Sequence, residues 1–424
     1  MIMLNKMKIG FIALIFVISF IAFSGCVEND DQAIDDVEKT TQVKIGTLLS
    51  ITGDLAPYGG PMQDAATLAI EEVNENGGLL GSQVTLISED SQTSEIAAVD
   101  GANKLVKINK VPAIIGAAGS SISLAFIEIT TKNNVVQISP SNTAPDFTTY
   151  DDNDFYFRTC PSDALQGKAM AILAMDENYT TASTLVLNNA YGVGFEKVFV
   201  AEFESMGGKI LDRVKYDPAA TIFDSEIELA SKNNPDVIIL ISYPETGSLI
   251  LKSAYQKGAM DDTEWLLSEG LKDEGLAESV GKDTKGNYII AGFKGTAPDP
   301  TVTGPAYQTF NDAYMAKYGI ETTTFTANTY DAAAVIALAI EKAGSVDGIA
   351  IRDNIRAVAN PPGVEVTDIG EGLMLIREGK EINYQGASGD VNFDDNGDIT
   401  TAYYAKWQIA EDGSVEWGDS IDLE

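Results

Sequence analysis

Residues 43–78 read VKIGTLLSITGDLAPYGGPMQDAATLAIEEVNENGG, and the order of residue types in this stretch decides the fold class. Residues 43–50 are an apolar run rich in strand formers. A glycine-bearing turn follows. Residues 61–75 then have helical character, opening on Pro61 and stopping at Asn76-Gly77-Gly78, with proline inside the start and glycine past the end. One strand followed by one helix is a single βα step. The step recurs downstream as strand 84–88 and helix 95–107, strand 111–115 and helix 122–133, then strand 135–139. Such a run predicts a parallel sheet with helices on both faces.

After Asp154-Phe-Tyr-Phe-Arg-Thr-Cys-Pro161 the pattern restarts. Helices are expected at 163–177, 193–206, 223–233 and 246–257, with strands at 185–188, 210–216, 237–242, 265–268 and 288–293. Helical segments near 306–318 and 328–343 have too little strand between them for a third sheet, so they are expected to return and cover the first lobe. The predicted architecture is α/β, with two Rossmann-like parallel-sheet lobes joined by several crossovers. The first lobe takes 42–160 and 297–380, and the second takes 161–296 and 381–424.

The N-terminus is expected to be an export segment. Lys6 and Lys8 precede an uncharged stretch, 9–27, whose apolar centre FIALIFVISFIAF ends in Ser24-Gly25-Cys26. This resembles a bacterial-type lipoprotein signal, with Phe23 where leucine is usual, and implies cleavage before Cys26 and lipidation of its thiol. An uncleaved membrane-spanning helix is the alternative, because the uncharged stretch is just long enough to cross a bilayer. On the first reading 1–25 is the signal peptide, and on both the folded body sits outside the cytoplasm, anchored to the outer face of the cell membrane. Residues 26–41 follow as an acidic tether, with six acidic side chains in VENDDQAIDDVEKTT and no apolar period.

Composition removes several function classes. Asp and Glu number 63 against 28 Lys and Arg, a formal charge of −35 that would repel a nucleic-acid backbone. Histidine is absent, so Ser-His-Asp and Cys-His catalysis and His-ligated zinc are excluded. Two cysteines, Cys26 and Cys160, make neither a Cys-rich zinc site nor a disulfide framework. Cys160 is expected to be a buried apolar residue.

In an open parallel sheet, ligands bind beyond the carboxyl ends of the strands. The first-lobe tips read Ser50-Ile-Thr-Gly-Asp-Leu-Ala-Pro-Tyr58, Gly116-Ala-Ala-Gly-Ser120-Ser121 and Ser139-Pro-Ser141-Asn-Thr143. Hydroxyls and glycine-freed N–H groups at helix starts suit a small anion such as a carboxylate. The second-lobe tips, Asn188-Asn-Ala-Tyr191, Ser242-Tyr243-Pro-Glu245 and Ser268-Glu269-Gly270, supply aromatic rings and a carboxylate. Together they describe a cleft with an anion hole on one wall and a cation acceptor on the other, as a zwitterionic amino acid requires.

The run Ile45-Gly-Thr-Leu-Leu-Ser-Ile-Thr-Gly-Asp-Leu-Ala-Pro-Tyr-Gly resembles the branched-chain amino acid (Leu/Ile/Val) binding proteins of ABC importers, and so do Phe157-Arg-Thr-Cys-Pro-Ser-Asp, Tyr191-Gly-Val-Gly, Ser268-Glu-Gly and Thr329-Tyr-Asp-Ala-Ala. The resemblance covers about 43–410. It implies a type I periplasmic-binding fold with three hinge crossovers, a solute clamped between lobes, and permease subunits in the membrane as partners. Carried over by position, Ser120 and Thr143 would bind the α-carboxylate, with Ser121 an alternative to Ser120. Ser141 would offer its carbonyl to the ammonium, and Glu269 would neutralise that ammonium. Tyr58, Tyr191 and Tyr243 would line the side-chain pocket, with Ser242 an alternative to Tyr243.

No cofactor, metal or catalytic residue is expected. Asp394-Asp-Asn-Gly-Asp398 has partial calcium-loop spacing but lacks the glycine and glutamate of a complete loop, so a hairpin turn is expected there. Two other functions remain open: a receptor of the same fold for urea, short amides or aromatic acids, and an extracellular hydrolase using paired carboxylates. Against the hydrolase, only Glu269 falls at a strand tip facing the cleft.

Overall fold

The computed structural model describes residues 42–423, and the export segment, Cys26 and the tether lie outside them. Residues Thr40–Glu424 form a compact unit holding both main sheets and every core cluster. The chain begins β1 (Val43–Leu49), α1 (Ala56–Glu75), β2 (Val84–Asp90), α2 (Glu95–Asn103), β3 (Ala113–Gly116), α3 (Ser120–Lys132), β4 (Val136–Ser139) and β5 (Tyr156–Arg158). These strands make a five-stranded parallel sheet in the order β2-β1-β3-β4-β5. All residues of β3 and β4 are buried, as strands covered on both faces by helices must be.

The second lobe continues with α4 (Asp163–Asp176), β6 (Thr181–Leu187), α5 (Ala190–Ser205), β7 (Lys209–Tyr216), α6 (Asp224–Ser231), β8 (Val237–Ile241), α7 (Pro244–Gln256), β9 (Glu264–Leu267), α8 (Leu276–Val280) and β10 (Lys294–Pro298). The chain then returns to the first lobe. Helices α9 (Pro305–Tyr318), α10 (Thr326–Ala343), α11 (Gly348–Ala359) and α12 (Ile369–Arg377) pack there with the short pair β11 (Val364–Val366) and β12 (Ile382–Tyr384). Finally β13 (Tyr404–Ile409) and β14 (Val415–Ile421) complete a seven-stranded sheet ordered β14-β13-β10-β9-β8-β6-β7.

Three expectations need correction. Residues 288–293 are not a strand; the strand is β10, which pairs with β9 and β13. The second sheet is not wholly parallel, because β13 runs antiparallel to β10 and closes a tight hairpin with β14. The lobe boundaries also shift: β10 belongs to the second sheet, whereas Ile382, Tyr384, Val391 and Phe393 join the first-lobe core, so the last crossing falls near 400 and not at 381. These residues are apolar and fit either lobe by pattern, and only the packing of β12 against β11 and α12 assigns them.

The crossings are pinned by polar contacts. Thr159 donates its hydroxyl to the Asn328 carbonyl and the Asn328 amide donates to the Thr159 carbonyl, each at 2.7 Å. Arg158, fully buried, donates to both Asp398 carboxylate oxygens at 2.6 and 2.8 Å and to the carbonyls of Asn142 and Ala144. The 394–398 stretch is the expected turn, bridged antiparallel between Phe393 and Ile399 with Gly397 at φ +78°. Cys160 is buried and free, and burial pushes its thiol above the ordinary range.

Candidate functional site

The ends of β1, β3 and β4 face those of β6, β8 and β9 across a cavity of about 30 Å³. The first lobe lines it with Leu55, Tyr58, Met62, Ala118, Ser120 and Ser141, the second with Tyr191, Tyr243, Glu269 and Gly270, and Phe325 enters from just before α10. Among the described residues, none that lines the cavity is basic.

Six of the expected residues therefore meet: Tyr58, Ser120, Ser141, Tyr191, Tyr243 and Glu269. Two stand off. Ser121 lines the larger open cleft outside, together with Asp54, Asn189 and Thr246. Thr143 lies behind the cavity, where its hydroxyl donates to Asp163 at 2.8 Å. Ser120 faces the cavity and Ser121 does not because successive residues at the start of α3 point about 100° apart. Ser242 also falls outside the lining; its hydroxyl is engaged with Tyr216 at 2.6 Å.

On the first-lobe wall, α3 begins at Gly119 and no side chain caps it. Its free N–H groups and positive dipole end favour an anion. Ser120 Oγ accepts from the Ala144 N–H at 3.3 Å, which leaves its own proton for a further acceptor. The Ser141 hydroxyl donates to the Ala118 carbonyl at 2.9 Å and holds the two tips together.

The second-lobe wall is aromatic and acidic. The Tyr191 and Tyr243 rings stack with centroids 5.4 Å apart. A Cβ at Gly270 would fall 2.5 Å from the Ser242 carbonyl oxygen and 3.2 Å from the Tyr191 hydroxyl, so only glycine permits this packing. Glu269 is 3% exposed, and burial pushes its carboxyl up to about 7. The Gln166 amide steadies it, donating to Glu269 Oε2 at 2.7 Å and to the Thr296 carbonyl at 3.0 Å. Asp163 lies close enough that burial and the charge of Glu269 together raise its pKa. Asp163 Oδ1 is buried without a hydrogen-bond partner among the described residues. A buried carboxyl group in the lining, with no basic side chain lining the cavity among the described residues, makes it a place for a cation.

Sequence reasoning passed over Leu55, Met62, Ala118, Gly270 and Phe325 in the lining, and Asp163 and Gln166 behind it. Leu55, Tyr58 and Met62 are spaced three and four apart, the signature of one helix face. Phe325 carries no such signal; it reaches the site because its backbone is left-handed, at φ +67°.

Two α/β lobes closing on a small cavity at their strand ends define a solute-binding protein. The chain belongs to the periplasmic binding protein family, whose model matches residues 42–405. It is 28% identical over 370 residues to the chemotactic signal transduction substrate-binding protein BasB of Halobacterium salinarum, covering 82% of this chain and 83% of that protein. It is 29% identical over 318 residues to a leucine-, isoleucine-, valine-, threonine- and alanine-binding protein of Pseudomonas aeruginosa, covering 74% and 82%. Among solved structures, the leucine-binding protein LivK of Thermotoga maritima superposes with a TM-score of 0.76 at 28% identity, over 90% of this chain and 99% of that one. The type I periplasmic-binding fold and the likeness to the Leu/Ile/Val-binding proteins are thereby established, and the family carries with it an extracytoplasmic location.

Proposed function

We propose that the protein binds an amino acid with an apolar side chain, branched-chain in the first instance, and presents it to the permease subunits of an ABC importer without chemically altering it. The observation that carries this reading is the buried Glu269 carboxylate facing the uncapped start of α3 across an apolar and aromatic cavity. A zwitterion satisfies both ends at once: its carboxylate meets Ser120 and the α3 N–H groups, its ammonium meets Glu269 and the Ser141 carbonyl, and its side chain lies among Leu55, Met62, Phe325 and the tyrosines. Urea or an aromatic acid would leave the acidic wall without a cation. The likeness to leucine-binding relatives supports the same choice.

A thermal-shift screen of residues 42–424 against the amino acids, urea, simple amides and benzoate tests this. Leucine, isoleucine or valine at 100 times its dissociation constant is expected to add about 2.7 kcal/mol of stability. A shift with urea or benzoate and none with any amino acid would reject the proposal. The likeness to a chemotactic substrate-binding protein favours a second reading of the partner, a chemotaxis transducer in place of a permease, with the same ligand chemistry. Co-purification with permease or transducer from membranes separates the two.

For anchoring, we propose that Cys26 is the acylated N-terminus of the mature chain. Cys26→Ser is then expected to release the protein to the medium or leave its signal uncleaved, read by fractionation and intact mass. Unchanged membrane association with unchanged mass would reject it.

A further inference from the structure

The cavity is walled by both lobes, so a solute enters or leaves only when they part. What holds them together is therefore part of the binding function. Beyond the apolar contacts of Leu55, Tyr58 and Met62 with the second-lobe core and a 3.4 Å hydrogen bond from the Tyr58 hydroxyl to the Glu269 carbonyl, Asp54 reaches across through three contacts. Asp54 Oδ1 accepts the backbone N–H groups of Glu245 at 2.7 Å and Thr246 at 3.3 Å, and Oδ2 accepts the Thr246 hydroxyl at 2.8 Å. Those N–H groups open α7, a 13-residue helix whose own N-cap residue, Tyr243, provides no side-chain bond. Elsewhere the caps are local: Ser162 serves α4, Asn189 serves α5 and Asp347 serves α11. In α7 the cap comes from the other lobe, 191 residues away in the chain.

Asp54 is also held ready on its own side. The Asp90 carboxylate accepts the N–H groups of Ile51 and Thr52 at 3.0 and 3.2 Å and the Thr52 hydroxyl at 2.7 Å. Thr93 Oγ1 accepts the Leu55 N–H at 3.1 Å. Gly53, at φ +87°, makes the turn between them and lies so close to Gln92 that a Cβ would fall 2.4 Å from its carbonyl oxygen. Loop 51–55 is thus fastened to the first lobe on both sides of Asp54, and the carboxylate projects toward α7 from a rigid base. Separating the lobes breaks all three contacts together.

We infer that Asp54 is a cross-lobe latch, a first-lobe carboxylate that caps α7 only while the lobes are together and so sets how long a bound solute is held. It is a positioning residue, since it does not line the cavity. The inference needs a receptor that closes on a small solute, and does not depend on that solute being an amino acid. A contact made only in the closed state slows opening and has little bearing on encounter, so its loss falls on release.

The test uses residues 42–424, a compact unit by itself, with leucine as the probe. A fluorophore on Ile222→Cys, at a position 75% exposed, reports release by stopped flow, because the fully buried Cys160 does not compete for the label. Asp54→Ala is expected to speed release about tenfold to a hundredfold while association changes less than about threefold, and Asp54→Asn, which keeps an acceptor oxygen, to fall between. The thermal midpoint without ligand should stay near wild type. A release rate within about twofold of wild type overturns the latch. So does a lowered midpoint with unchanged release, which would make Asp54 an ordinary loop residue. If wild type does not bind leucine, the amino-acid reading fails and the latch is judged without ligand, from spin-label distances between Ile108→Cys and Ile222→Cys. Longer separations in Asp54→Ala then support it, and coincident distributions overturn it.

Discussion

Glu269→Ala is expected to weaken leucine binding by about 3–5 kcal/mol, a hundredfold to several thousandfold, because it leaves an ammonium buried without its counter-charge. The carboxylate is 3% exposed and none of the described residues lining the cavity is basic, so water and neighbouring side chains do little to replace it. Glu269→Gln keeps an acceptor oxygen and should lose less, and neither variant should unfold the protein. The same group predicts a pH dependence. Burial holds the free carboxyl near 7, so below that pH it is mostly protonated and an arriving ammonium must displace the proton. Affinity is therefore expected to rise with pH up to about 7 and then level off, by at most tenfold per pH unit on the rising side. Calorimetry in buffers of different ionisation enthalpy reads the proton released at neutral pH. An affinity for Glu269→Ala within threefold of wild type, or one that does not change between pH 5 and 8, would remove Glu269 from the ammonium site.

Esterifying the ligand's carboxylate is the second large effect. Leucine methyl ester keeps the side chain and the ammonium but offers the start of α3 a neutral group in place of an anion. Each charge-assisted hydrogen bond lost in a buried site costs about 1.5–3 kcal/mol, so the ester is expected to bind at least tenfold more weakly than leucine. Ser120→Ala should weaken the free acid and leave the ester almost unaffected, because only the anion draws strongly on that hydroxyl. Titration of both ligands against both proteins gives the coupling directly. Equal binding of ester and acid by wild type would mean that the α3 wall does not hold a carboxylate.

The legibility of this chain differs by level. Local patterns carried the alternation of strand and helix, because central strands such as β3, β4 and β8 are buried along their whole length and several helices bear their own start signals; Ser162 and Asn189 are N-caps readable in one dimension. The strand tips were legible for the same reason, since a parallel sheet puts its functional residues directly after apolar runs. Residues 382–393 were assigned to the wrong lobe because an apolar segment does not record which of two apolar cores it joins. Thr143 was expected at the ligand through hydroxyl and backbone N–H; its hydroxyl donates to Asp163, a partner 20 residues away that only folding brings near.

From the sequence alone follow the α/β class, the two lobes, the exclusion of histidine chemistry and nucleic-acid binding, and the strand tips on which the family resemblance picks out six of the cavity residues. These depend on short-range periodicity, composition and the position of residues relative to their own strand. Tertiary structure alone decided that Ser120 and not Ser121 faces the cavity, that Phe325 enters it from a left-handed turn, that Gln166 and Asp163 stand behind Glu269, and that Asp54 caps a helix of the opposite lobe. Each of those is a contact between residues distant in the chain or a side-chain direction set by one backbone angle. Neither leaves a period or a spacing in the sequence, because its energy depends on where two elements come to rest against each other.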